Sequence, residues 1–188
     1  MRFPLPFVPT KSYKGGNGFG GSREKVRPGL MHGANDLAAP PGTPVLAMDE
    51  GVVLAGPYEF FRGTYALEVR HPQFIARYCE IARIAEVGLA DRVKEGQVIA
   101  YVGDQPGEDM LHLEFFSGRL SGPLSYKPGT HPPYDRRDDV FNGAKYLDLT
   151  VPSAGRLPPE YLDPEYQYRY VSDDEGRKFL ARMDLRDI

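Results

Sequence analysis

The chain has 188 residues and a formal net charge of −3, a size that suits one domain with a sizeable core plus an appendage. No basic block marks a nucleic-acid or membrane-surface patch and no apolar run approaches a membrane span, so the sequence predicts neither nucleic-acid binding nor membrane insertion. With 21 Gly, 18 Pro and 12 Tyr the chain is dense in turns and strand-formers, and its single cysteine, Cys79, excludes an internal disulfide.

In chain order, residues 1–30 read as an irregular arm, with GGNGFGGSR as its most flexible part. The opening MRFPLPFVPTK has a short apolar stretch broken by Pro4 and Pro6, which predicts no Sec-type signal peptide. From residue 44 onward short strand candidates follow one another: PVLAMD, GVVLAG, YALEVRH, FIARYCEI, QVIAYVG and MLHLEFF. Turns are expected at Gly42, Gly51, Gly56, Gly88, Gly96 and Gly107. This pattern predicts a mainly β fold, an antiparallel sheet or sandwich. After Phe116 the chain reads as loop up to about residue 148. DDEGRKFLARMDL, residues 173–185, then predicts a closing helix of about three turns, capped by Asp173 or Asp174, with Phe179, Leu180 and Met183 facing inward. Residues 1–150 are expected to form the functional domain, with 151–188 as an extension packing on or beside it.

Chemistry concentrates in two places. HGAND holds His32 and Asp36 with three residues between them, and MLHLEF holds His112. Strand alternation puts Met110, His112 and Glu114 on one face and Leu111, Leu113 and Phe115 on the other. Two imidazoles and a carboxylate suit a catalytic zinc site, which uses three protein ligands and leaves the fourth position to water. Taken alone, His32 and Asp36 fit an exposed turn whose aspartate caps it better than they fit a metal site.

The stretches HGANDLAAPPGTPVLAMDEGVVLAG, RVKEGQVIAYVGD and MLHLEFFSG together resemble, in order and spacing, the lysostaphin/LytM-type zinc endopeptidases that cut peptidoglycan cross-links. The family's His-x-Gly-x-Asp motif, Gly-Thr-Pro-Val strand start and Asp-Gly turn correspond to residues from His32 through Gly42, Thr43, Pro44, Val45, Glu50 and Gly51. FGGSR is similar to its Phe-Gly-x-Arg segment. The resemblance covers residues 19–114. It implies a lysostaphin-like (duplicated hybrid motif) core, one Zn²⁺ held by His32, Asp36 and His112, and peptidoglycan peptide as substrate.

The departures fall on one motif glycine and on both of the family's non-ligand histidines. Ala34 takes the place of the motif glycine, Met110 that of the first histidine of His-x-His, and Glu80 that of the histidine in Tyr-x-His-Leu. Two readings compete. In the favoured one, Glu80 is the general base and shares a strand face with Tyr78, while the apolar bulk of Met110 raises the Glu80 pKa by desolvation. In the other, the chain is an inactive zinc-binding module that recognises the cell wall or activates another hydrolase.

Glu114 is expected to orient an imidazole or, equally, to end its strand in solvent. Met110 and Tyr78 are further candidates for contact with substrate or ligands. His71 reads as structural, His131 as an exposed loop residue, Arg77 as facing away from the metal, and Cys79 as a buried small residue rather than a nucleophile. ADRVKEGQVIAYVGD also resembles the hammerhead of lipoyl and biotinyl carriers, but GDQPGEDM brings no lysine to a hairpin tip, which removes that reading. The combined expectation is a secreted antibacterial effector. It would be made in the cytoplasm and delivered to periplasm or cell wall by a secretion apparatus, a phage-like particle or lysis. A delivered toxin of this kind would call for a neutralising partner protein.

Overall fold

The computed structural model describes residues 1–150 apart from positions 12 and 26, and the backbone of 166–172 and 178–184. Its centre is an antiparallel sheet built from β1 (Asn35–Ala38), β3 (Gly51–Glu59), β4 (Tyr65–Arg70), β5 (Ile75–Ile81), β6 (Arg92–Val93) and β8 (Met110–Phe116). The strands lie in the order β1-β8-β5-β4-β3-β6, with the short β9 (Val140–Phe141) added beside β8. A second sheet pairs β2 (Pro44–Leu46) with β7 (Val98–Tyr101).

Alternation along the strands sorts the side chains. Leu67, Val69, Tyr78, Leu111, Leu113 and Phe115 point to one face, where they join Val45, Ile99 and Ala100 of the small sheet in the main core. The opposite face carries His112, Glu114 and Arg77 and a smaller apolar cluster of Ile75, Phe116 and Leu124. The N-terminal arm lacks regular structure beyond a 3₁₀ turn at Gly15–Asn17, yet it is anchored: Phe3 and Leu5 are fully buried, and Leu46 N–H donates to the Pro4 carbonyl at 2.9 Å.

The structure differs from the sequence expectations in several places, beginning with β1 itself, since no strand was expected before residue 44. Gly56 does not end a strand, because β3 runs through it to Glu59 with a register shift between Ala55 and Tyr58. A Cβ at Gly56 would meet the Ala66 carbonyl oxygen at 2.4 Å, so glycine here permits close backbone approach at φ +102°. The loop expected after Phe116 contains β9 and a short helix α1 (Ala144–Leu149), whose Leu147 is buried in the core. In place of the expected closing helix, Lys178–Asp184 is strand β11, paired antiparallel with β10 (Tyr166–Ser172). Tyr and Val at alternate positions of YQYRYVS favour a strand, and that strand supplies KFLARMD with a ladder partner in place of helical bonds. The expected caps Asp173 and Asp174, and the packing of 151–188 on the domain, lie outside the described residues.

A further difference bears on the site. Between Tyr65 and Ala66 the β4–β5 register shifts, so that Ile81 and Cys79 are partnered and Glu80 is left over. Glu80 has φ +62°, the left-handed conformation of a bulge residue. Alternation therefore stops at Cys79, and Tyr78 and Glu80 do not share a face.

Candidate metal centre

His32 precedes β1, Asp36 lies within it, and β1 pairs with β8 so that Asp36 and His112 are direct register partners. A strand pair thus brings a residue from each motif together across 76 positions of sequence. His32 Nε2 lies 3.2 Å from Asp36 Oδ1 and 3.4 Å from His112 Nδ1, and His112 Nδ1 lies 2.8 Å from Asp36 Oδ1. Donors about 2.0–2.1 Å from one tetrahedral ion stand about 3.3 Å apart, so this triangle already has the dimensions of a metal site. These residues are the group among the described ones whose ligand atoms could hold a metal ion.

The remaining polar atoms of the cluster are committed elsewhere. His32 Nδ1 lies 3.0 Å from the Gly18 carbonyl, to which it donates when Nε2 is the ligating atom. Asp36 Oδ2 accepts from Arg23 at 3.4 Å. His112 Nε2 is 3.1 Å from Glu114 Oε1, which turns Nδ1 towards the cluster. Glu114 is completely buried, and Arg77 and Arg136 donate to it at 2.7 and 2.6 Å. Arg77 also donates to Ser125 and lies over the Phe60 ring, whose centroid is 5.7 Å from that of His112.

Electrostatics follow from these contacts. Burial works against ionisation of Asp36, but hydrogen bonds from His112 and His32 outweigh it and hold the carboxyl well below its usual range. Glu114 is likewise lowered against its burial, by the Arg77 and Arg136 charges. Burial lowers the His112 pKa, yet its bonds to Asp36 and Glu114 win and raise it to about 9 without an ion.

Glu80 stands beside this cluster, close enough for the charges of His112 and Asp36 to act on it. It is 7% exposed, and burial raises its pKa, with the His112 charge opposing. Gln105 Nε2 donates to Glu80 Oε2 at 2.6 Å and to the Glu108 carbonyl at 3.0 Å. Met110 is half-buried, on the same strand face as His112 and opposite Ala38.

Two expectations about orientation are corrected. Tyr78 lies on the core face, fully buried, accepting from Met48 N–H and bonded to His71, so it meets neither the cluster nor substrate. Arg77 faces the cluster side rather than away, because Arg77 and Glu114 are register partners and the bulge begins only after Cys79. Cys79 is fully buried and its thiol is pushed up by burial, so it is not a nucleophile. His131 packs on the Tyr126 ring and bonds Asp138 in the loop. Gln105 and Arg136 were not singled out from sequence. Both sit in loops without periodicity, and only β8 pairing and loop return bring them near.

Residues 30–122 match the description of Peptidase family M23. Over 93 residues, 49% of this chain, the sequence is 34% identical to the peptidoglycan DD-endopeptidase ShyC of Vibrio cholerae serotype O1, and that match spans only 18% of the relative's length. Among solved structures, the catalytic domain of the antimicrobial peptidase lysostaphin from Staphylococcus simulans superposes with a TM-score of 0.55 at 19% identity, covering 73% of this chain and 92% of that one. A lysostaphin structure from the same organism gives a TM-score of 0.59 at 16% identity, covering 95% of this chain and 66% of that one. Residues 30–122, which carry His32, Asp36 and His112, thus match peptidase family M23 and lie on an antiparallel fold shared with the lysostaphin catalytic domain.

Proposed function

We propose that this chain is a zinc-dependent hydrolase that cuts peptide bonds in peptidoglycan stem peptides or their cross-links, with Glu80 as general base. The observation that carries the reading is the triangle of His32 Nε2, Asp36 Oδ1 and His112 Nδ1, with edges of 3.2, 3.4 and 2.8 Å. Two imidazoles and a carboxylate suit zinc better than the all-oxygen shells of calcium or magnesium. Bound there, zinc would act as a Lewis acid and lower a water's pKa from about 15.7 to about 7.

The chain's own groups do the rest. Glu80 takes the proton of the attacking water and returns it to the leaving amine, and its burial brings its pKa closer to the working range for both transfers. Gln105 holds Glu80 Oε2, leaving the other carboxylate oxygen to handle the proton. Glu114 keeps His112 turned, and Arg77 and Arg136 keep Glu114 charged. Similarity to ShyC, named a peptidoglycan DD-endopeptidase, supports the substrate class, and such a substrate implies action in the periplasm or cell wall. Among the described residues no helix is long and apolar enough to cross a membrane.

The test compares wild type, Glu80→Ala and His112→Ala for zinc content and for release of new amines from purified peptidoglycan, with and without chelator. Glu80→Ala should keep zinc and lose cleavage, while His112→Ala should lose both. A wild type that binds zinc but releases no amines would instead favour the inactive recognition module, the reading supported by the Met110 thioether standing where the family has a histidine.

A further inference from the structure

The sheet face that carries His112 and Glu114 continues past the metal cluster. Glu68 is the register partner of Arg77, and Arg70 that of Ile75, so both project to this same face. There a cavity of about 420 Å³ opens between the sheet and the chain that follows β8, lined by Leu54, Glu68, Arg70, Ile75, Arg119 and Arg137 among others.

Its charges are unequally committed. Arg137 is held by Asp139 at 2.6 Å and by the Gly122 carbonyl, and Glu68 accepts the Tyr58 hydroxyl at 2.5 Å. Arg70 and Arg119 are exposed, and among the described residues neither guanidinium is in an ion pair. Gly118 leaves room for Arg70, since a Cβ there would lie 3.0 Å from Arg70 Nη1. Leu54, Ile75 and Leu124 complete the lining beneath the two cations.

Ile75 lies four residues before Cys79, the register partner of His112, which puts the cavity about 13 Å along the strand from the metal cluster. An extended peptide covers that distance in about three to four residues. Resting on the hydrolase reading above, we propose that Arg70 and Arg119 form a subsite that binds a free carboxylate of the stem peptide, three to four residues from the scissile bond. Stem peptides present such groups on D-glutamyl and terminal D-alanyl residues, and a planar guanidinium pairs with a carboxylate through two hydrogen bonds.

The test uses a stem-peptide dimer in its free-acid form and the same dimer with its carboxylates amidated. Binding of each to the full chain is measured by calorimetry in the presence of chelator, so that neither is cut. Wild type should bind the acid at least about tenfold more tightly, the difference one charge-assisted hydrogen bond makes. The double variant Arg70→Gln/Arg119→Gln should bind acid and amide alike, while Arg83→Gln, the same charge change at an exposed residue outside the cavity, should keep the preference. Equal binding of both dimers by wild type, or a preference surviving in the double variant, overturns the proposal. Cleavage is scored separately with zinc-loaded protein. A wild type that cuts neither dimer refutes the hydrolase reading, whereas the binding preference reports on the cavity alone.

Discussion

His112 and Glu114 are two residues apart on one strand face, and the 3.1 Å contact between Nε2 and Oε1 decides which nitrogen of the imidazole faces Asp36. Glu114 itself is fully buried and bound by two arginines. Glu114→Gln preserves an acceptor for Nε2 but removes the charge, leaving Arg77 and Arg136 uncompensated. Metal affinity should fall by about 10–100-fold, as for loss of other partners that orient a ligand. Breaking the buried pair should also destabilise the fold by about 3–5 kcal/mol. Competition with a chromophoric chelator and a denaturant titration measure the two effects. Unchanged metal affinity would show that His112 is oriented by its packing alone.

Gln105 holds Glu80 at 2.6 Å from a loop that carries none of the metal-facing groups. Gln105→Ala frees the carboxylate to rotate without touching the triangle of donors. Turnover should drop by about tenfold, the scale of one hydrogen bond to a charged group, while zinc content stays at one per chain. A loss of zinc together with activity would make Gln105 a structural residue of the site rather than one that positions the base.

The motifs and the faces of β8 were legible in the sequence because each rests on local spacing. Met110, His112 and Glu114 fall on one side and Leu111, Leu113 and Phe115 on the other, as alternation requires. The β5 segment misled because period two cannot signal a bulge. Glu80 adopts φ +62° only where β4 and β5 change register, a property of the pairing and not of YCEI itself. That one extra residue separates Tyr78 from Glu80 and leaves Arg77 on the side of Glu114. KFLARMD was ambiguous for a different reason: its apolar residues fit a helical stripe as well as a strand, and β10 settled it. The arm before residue 30 looked loose because Phe3 and Leu5 stand between prolines, where no periodicity reveals burial.

His71 makes stability depend on pH. It is 3% exposed, its Nδ1 lies 2.9 Å from the Glu50 carbonyl and its Nε2 2.9 Å from the Tyr78 hydroxyl. Burial lowers its pKa below the ordinary value near 6.5, with the Glu50 carbonyl opposing. Below that value the unfolded chain takes up a proton that the native His71 resists, so stability falls as pH drops from about 6.5 towards the folded pKa. Above about 6.5 both states are neutral and this contribution is flat. Melting temperatures of wild type and His71→Gln between pH 5 and 8 check this. The variant should be less stable at pH 8 but lose less on acidification, and parallel curves would remove His71 as the cause.

Gly143 tests the core face independently of the site. A Cβ there would sit 2.1 Å from Phe115 Cδ2 and 2.2 Å from Cε2, at a φ of −81° that alanine adopts freely, so the conflict is purely steric. Phe115 cannot easily yield, since its ring packs edge-on against Phe74 at 5.2 Å and stacks near Tyr146 at 6.2 Å. Gly143→Ala should therefore cost about 1–3 kcal/mol through overpacking. For a chain of this size that is a fall of roughly 3–10 °C in melting temperature. Phe115 points away from the face that carries His112, so zinc content should not change. A melting temperature equal to wild type would mean that α1 can shift away from β8, and that the aromatic cluster is packed less tightly than these distances imply.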